Sequence, residues 1–299
     1  MRHHLWTSAV IIGLATLGGC TPEPPTPIAP AASPAAAVPA AQPASHAAAP
    51  PEMSEKPTAA VTDSAGGEWG GVTGRVVLGG ELPTLADLVV AGNAAVKDAA
   101  VCAIKSIPDE TLVVDPKSKG IANVVVYLRR RPETIHPSLE KSAAPTVLYD
   151  QIGCRFIPHV IVARTDQSVN VVSADAVAHN TRGTPIKNDG FNFLLSPVDR
   201  VGVNVPFKSA ESLPTEIRCD IHPWMKGYWM IVDHPYATVT AADGTFSIPL
   251  LPPGEHEFRV WHEGAGYLDK SLKVTVAAGQ ETEVKDISVT AERILQKRE

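Results

Sequence analysis

The sequence predicts an all-β protein, expected as a Greek-key sandwich plus a second small β-sandwich, and three observations predict it. From about Gly66 onward, short apolar runs rich in β-branched residues recur between Gly, Pro, Asn and Asp. Helix signals are sparse, confined to 84–90 and 291–297. Turn sequences such as Ala242-Asp243-Gly244 and Leu251-Pro252-Pro253-Gly254 separate the later runs, as they do in sandwiches and barrels. In order, Val72–Leu78, Ala122–Leu128, His159–Ala163 and Ser168–Val172 are expected as strands because Val and Ile dominate them. Gly227–Val232, Thr245–Ile248, His256–Trp261 and Leu272–Val276 follow on the same grounds.

The chain has 299 residues, enough for one or two domains with real cores. Its 26 basic against 32 acidic side chains give a formal charge of -6. That balance lacks the basic excess that phosphate-backbone binding needs, so no nucleic-acid partner is expected.

Residues 1–20 begin Met1-Arg2-His3-His4, continue through an apolar run from Ala9 to Leu17, and end Gly18-Gly19-Cys20. A positive start, a short apolar core and small residues at the end form an export signal, too short to span a bilayer. Leu17-Gly18-Gly19-Cys20 resembles the bacterial lipobox, which implies acylation of Cys20 and anchoring in the cell envelope. Thr21 in place of Asp favours the outer membrane within that resemblance. Between 21 and 60 lie 11 of the prolines and 14 alanines, with almost no large aliphatic or aromatic residue. Such a segment buries too little to offset its ordering entropy, so 21–66 is expected as a semi-stiff, disordered stalk.

Of the four cysteines, Cys20 is assigned to lipid, leaving Cys102, Cys154 and Cys219 in an oxidising compartment. An odd number means one thiol has another task. Cys219 lies in Cys219-Asp220-Ile221-His222-Pro223-Trp224-Met225, which gathers a thiolate, an imidazole and a thioether on one loop. Two His, one Cys and a long axial Met form the donor set of an electron-transfer copper site. His179, in 173–180 and 40 residues before Cys219, is the candidate second imidazole. Cys102 and Cys154 are then expected to pair, with free thiols or a second soft-metal site as alternatives. Met225 is preferred over Met230 because it shares the loop with the other ligands. His159, His234, His256 and His262 are expected as structural histidines, His159 being the closest to a cysteine in sequence.

At these residues the chain resembles the cupredoxins, the blue copper proteins, in particular amicyanin and its plastocyanin-like relatives. Cys219-x-x-His222-Pro223-Trp224-Met225, followed by Lys226, Gly227 and a strand, matches their ligand loop, and His179-Asn180 matches their upstream pair. The resemblance implies one type 1 copper held by His179, Cys219, His222 and Met225, in a domain spanning 136–232. It further implies Asn180 as a bridge between the two ligand segments. His222, flanked by Pro223 and Trp224, becomes the partly exposed edge for electron exchange with a redox partner protein.

The segment 234–258 resembles the second half of carboxypeptidase regulatory-like domains, which are transthyretin-like sandwiches. The matching first half reads Gly71–Val77 and Ile121–Tyr127 upstream. The expectation is a sandwich built from 67–135 with 233–290, split by the copper domain, and a C-terminal tail at 291–299. The simpler arrangement gives the upstream strands to an enlarged copper domain followed by a separate module, and pairing of Val72–Leu78 with Thr245–Ile248 distinguishes the two. The functional expectation is a lipid-anchored electron-transfer protein of the cell envelope, not an enzyme. Copper delivery, or a surface scaffold on the same fold, are the alternatives.

Overall fold

The computed structural model describes residues 68–296, so the leader, Cys20 and the stalk lie outside the described residues. Nine strands cover the first two-thirds: β1 (Gly70–Gly79), β2 (Val125–Leu128), β3 (Thr146–Gln151), β4 (Phe156–Ile157), β5 (Val160–Arg164), β6 (Ser168–Ser173), β7 (His179–Gly183), β8 (Phe191–Leu195) and β9 (Val203–Pro206). Eight follow: β10 (Thr215–Arg218), β11 (Lys226–Val232), β12 (Ala237–Val239), β13 (Thr245–Leu251), β14 (Gly254–His262), β15 (Gly266–Val276), β16 (Glu281–Glu283) and β17 (Ile287–Thr290). Two short α-helices, α1 (Ala99–Cys102) and α2 (Ala291–Leu295), and a 3-10 turn at Pro137–Leu139 complete the secondary structure of the described residues. The described chain is thus all-β, and no described helix is long and apolar enough to cross a membrane.

The strands form four sheets whose cores alternate with them. In the first sheet β13 and β1 are antiparallel, with Val72 opposite Ile248, while β16 and β17 run parallel to β1 on its other edge. The second has the order β12-β2-β14-β15, the third β5-β11-β10-β7-β8, the fourth β4-β3-β6-β9. The first two draw their strands from both sides of the 146–232 stretch, and that stretch supplies all strands of the other two.

Alternation along two strands accounts for the stacking. On β2, Val126 and Leu128 face a core shared with Val72, Val76 and Phe246, whereas Val125 and Tyr127 face the other way. On β11, Tyr228, Met230 and Val232 join Val125 and Tyr127, while Trp229 and Ile231 enter a third core with Tyr149, Phe156 and Val171. A strand buried on both faces must be apolar at every position, which is why these two read as unbroken hydrophobic runs. The two sandwiches are therefore joined through a middle core containing Trp261 and Val160.

Two local features differ from or refine the sequence expectation. Segment 84–90 is not helical and has no regular structure beyond the bridge of Val89 to Ile107: Leu88 and Val90 are exposed while Val89 is buried. That two-residue alternation overrides the weak helical pattern. At the Asp243-Gly244 turn, Gly244 has φ 79° and its carbonyl accepts from Val76 N–H at 2.9 Å. A β-carbon there would run into the Val76 carbonyl, so both the dihedral and the close approach call for glycine.

Candidate metal centre

Strand pairing assembles the site. β10 pairs with β11 as a hairpin, Arg218 opposite Lys226, and the connecting loop is Cys219–Met225. β10 also pairs with β7, Arg218 opposite Arg182, which brings the start of β7 alongside that loop. His179 is the first residue of β7 and so stands beside Cys219 and His222 despite the 40-residue gap from Cys219. Within the loop, Met225 N–H donates to His222 C=O at 2.9 Å and Cys219 N–H to Met225 C=O at 3.3 Å. Pro223 occupies the second position of that His222–Met225 turn, where its fixed φ is favourable.

His179 Nδ1 and His222 Nδ1 are 2.8 Å apart, and His222 Nδ1 is 3.8 Å from Cys219 Sγ. One donor atom from each of the three residues lies within 4.8 Å of the others. His179 and His222 are wholly buried, and Cys219 and Met225 nearly so. Met225 belongs to the same core as Cys219, whereas Met230 faces the middle core between the sandwiches.

Both imidazoles are held from behind by carboxylates. His179 Nε2 is 2.9 Å from Asp175 Oδ2, and His222 Nε2 is 3.0 Å from Asp98 Oδ2. With each Nε2–H donated outward, each Nδ1 is the ring nitrogen that faces inward, where a metal would take its lone pair once any proton there is displaced. Asp175 also accepts from Gly153 N–H and Cys154 N–H. Burial raises the pKa of Cys219, but hydrogen bonding from His179 and His222 and from backbone N–H groups outweighs it and brings the value to about 6. For His179, burial pulls downward, while Asp175 and the Cys219 sulfur carry the value up to about 9. Near neutrality the pair is a thiolate beside an imidazolium, a proton standing where a soft cation fits.

Asn180 ties the start of β7 to the Cys219–Met225 loop. Its Oδ1 accepts from Asp220 N–H at 2.6 Å, and its Nδ2 donates to Asp220 Oδ2 and to Asn192 Oδ1, both at 2.9 Å. Cys102 and Cys154 form a disulfide across 52 positions, leaving Cys219 as the free cysteine among the described residues. Cys154 is therefore no ligand, although its sulfur lies close to Asp175 and His179.

The expected exposed edge is corrected. His222 has no exposed surface, because the segment carrying Asp98 lies over it, while Pro223 is exposed and Trp224 half-buried. The Trp224 ring is 5.2 Å from the His222 ring, centroid to centroid, and its Nε1–H donates to Cys154 C=O at 3.2 Å. Trp224 also borders an open cleft of about 200 Å³, together with Glu110, Arg155, His159 and Lys226.

The four histidines expected to be structural have partners of their own. His159 pairs with Glu263, which also binds Lys226 Nζ at 2.6 Å. His234 Nε2 meets Leu128 C=O, His256 Nε2 meets Pro252 C=O, and His262 Nδ1 accepts from Gly264 N–H. Sequence reasoning missed Asp175 and Asp98. The first sits four residues before His179 and was visible at that spacing; the second is 124 residues from His222, with no local signal.

No family model and no curated protein matches the chain. Among solved structures, a copper-containing nitrite reductase from Thermus scotoductus SA-01 is similar over 29% of this chain and 22% of its own, at 20% identity and a TM-score of 0.26. A purple cupredoxin from Nitrosopumilus maritimus is similar over 28% of this chain and 97% of its own, at 17% identity and a TM-score of 0.24. Amicyanin from Paracoccus versutus is similar over 36% of this chain and 96% of its own, at 15% identity and a TM-score of 0.25. These likenesses concern a part of the chain, and the reading of the site rests on its own residues.

Proposed function

We propose that this protein is a type 1 copper electron-transfer protein, with His179, Cys219 and His222 as the close donors and Met225 as the axial one. The observation that carries the reading is the buried convergence of two Nδ1 atoms and one thiolate, with both Nε2 atoms already committed to carboxylates. The donor set suits copper, since zinc takes a Cys, His or carboxylate in place of a thioether. Copper supplies one-electron exchange between Cu(I) and Cu(II). The chain contributes rigidity: the β7–β10 pairing, the Asn180 bridge and the disulfide fix the donors before any metal arrives. A fixed donor set limits rearrangement between oxidation states.

Burial of all four residues favours electron transfer over copper delivery, because a delivered ion needs an open ligand face. With His222 covered, Trp224 is the group best placed to pass electrons to a redox partner protein, from the cleft it borders to the ring it touches. We assign no catalytic turnover. In this reading the protein is exported, anchored through Cys20 to a lipid membrane of the cell envelope, and held off it by the stalk; the regulatory-like sandwich is the scaffold that carries the copper domain. Addition of Cu(II) to the purified chain tests the proposal: an intense thiolate-to-copper visible band that is lost in Cys219→Ser is expected. A colourless wild type overturns it.

A further inference from the structure

Between β1 and β2 the chain sends a strap, 80–107, across the other sandwich. Val89, Cys102, Ala103 and Ile107 of this strap are buried in the core that also contains Cys219, Met225 and Trp229. Leu88 N–H and Ile107 N–H bond back across it, and Gly92 N–H donates to Ala103 C=O, so the strap is an ordered element with its own ladder. The disulfide staples its α1 to Cys154, whose backbone N–H donates to the carboxylate behind His179.

Asp98 sits at the N-cap of α1, in the left-handed region with φ 52° and ψ 41°. A capping Asp ordinarily turns its carboxylate onto the first N–H groups of its helix. Among the described residues Asp98 caps none of them, and its Oδ2 instead meets His222 Nε2. An unusual backbone conformation and a forgone cap are both directed at one contact. Lys97 Nζ approaches the other oxygen at 4.0 Å from the solvent side.

We propose that Asp98 is a positioning residue for His222: the strap delivers a carboxylate to the outer nitrogen, fixes the ring so that Nδ1 faces Cys219, and makes the imidazole a stronger donor that favours Cu(II) over Cu(I). The inference rests on the copper reading above and adds a ligand-orienting role for a segment outside the copper domain. The arrangement parallels the Asp175–His179 pair, so each imidazole has a carboxylate at its Nε2.

The test uses the full chain with Asp98→Asn and Asp98→Gly. Both substitutes tolerate the left-handed backbone; Asn keeps an acceptor without the charge, and Gly removes it altogether. Lys97→Ala is the control. The readouts are the Cu(II) affinity by chelator competition and the reduction potential by voltammetry. Loss of a group that orients a ligand costs about 10–100-fold in metal affinity. Asp98→Gly is expected to bind Cu(II) about that much more weakly. Each tenfold loss not shared by Cu(I) raises the potential by about 59 mV. Asp98→Asn is expected between wild type and Asp98→Gly, with the thiolate band retained. A purely structural strap leaves the potential of folded Asp98→Asn at the wild-type value, and that result overturns the inference while the copper reading stands. A wild type without the band overturns both, and the two failures are told apart by colour.

Discussion

Replacing Cys102 and Cys154 together by alanine removes the staple between the strap and the core that holds Cys219 and Met225. Both side chains are buried, at 1% and 0% exposure, so alanine leaves no polar group stranded. The cross-link closes 52 positions, and the chain-entropy relation then gives about 4 kcal/mol of stabilisation at 25 °C. With an m-value of about 2–3 kcal/mol/M, the urea midpoint should fall by roughly 1.3–2 M. Tryptophan fluorescence reports it, since Trp229 lies in the same core as the disulfide and Trp224 donates to Cys154 C=O. The thiolate-to-copper band should survive below the transition, because neither cysteine is a donor. A loss smaller than about 1 kcal/mol would refute the reasoning, showing that the unfolded chain keeps enough residual structure to hold the two positions close without the cross-link.

Copper affinity should fall with acid in two regimes. Between about pH 9 and pH 6 the metal-free site carries a proton on His179 and a thiolate at Cys219, so binding displaces one proton and weakens about tenfold per unit as pH falls. Below about pH 6 Cys219 is protonated as well, and the slope should approach about hundredfold per unit; chelator competition across pH measures it, and a flat profile contradicts it. Met230→Ala should cost about 2–5 kcal/mol in urea unfolding and leave the visible spectrum unchanged, whereas Met225→Ala should alter spectrum and potential. The reverse pattern would place the axial ligand in the wrong core. Asn180→Ala breaks the link from β7 to Asp220 and should destabilise by about 1–3 kcal/mol, read by thermal unfolding of the metal-free protein; an unchanged midpoint would show that strand pairing alone holds the segments.

The parts of the fold legible in the sequence are the strands with apolar side chains on one or both faces. β2 and β11 stand out because each lines two cores. β3, β4, β7, β8, β9, β10, β12, β16 and β17 escape the sequence reading, and for β7 and β10 the reason is equally physical. His179, Asn180 and Thr181 are buried polar residues serving the site, and Thr215–Arg218 spans too few residues to show a period. The candidate metal loop was legible because one seven-residue segment holds three of the four proposed donors. His179 needed the additional fact that β7 and β10 are neighbours. The burial of His222 was invisible, since the strap that covers it comes from before β2 and is joined to the site only by tertiary packing and the disulfide. Segment 84–90 misled for the same reason: its backbone is set by the bridge from Val89 to Ile107 rather than by its own propensity.

The identity of the donors is the central claim, and X-ray absorption at the copper edge of the loaded full chain counts them directly. One short sulfur scatterer with two imidazole nitrogens is predicted for the wild type, with that sulfur absent in Cys219→Ser. A wild-type copper shell of nitrogen and oxygen alone would contradict the account.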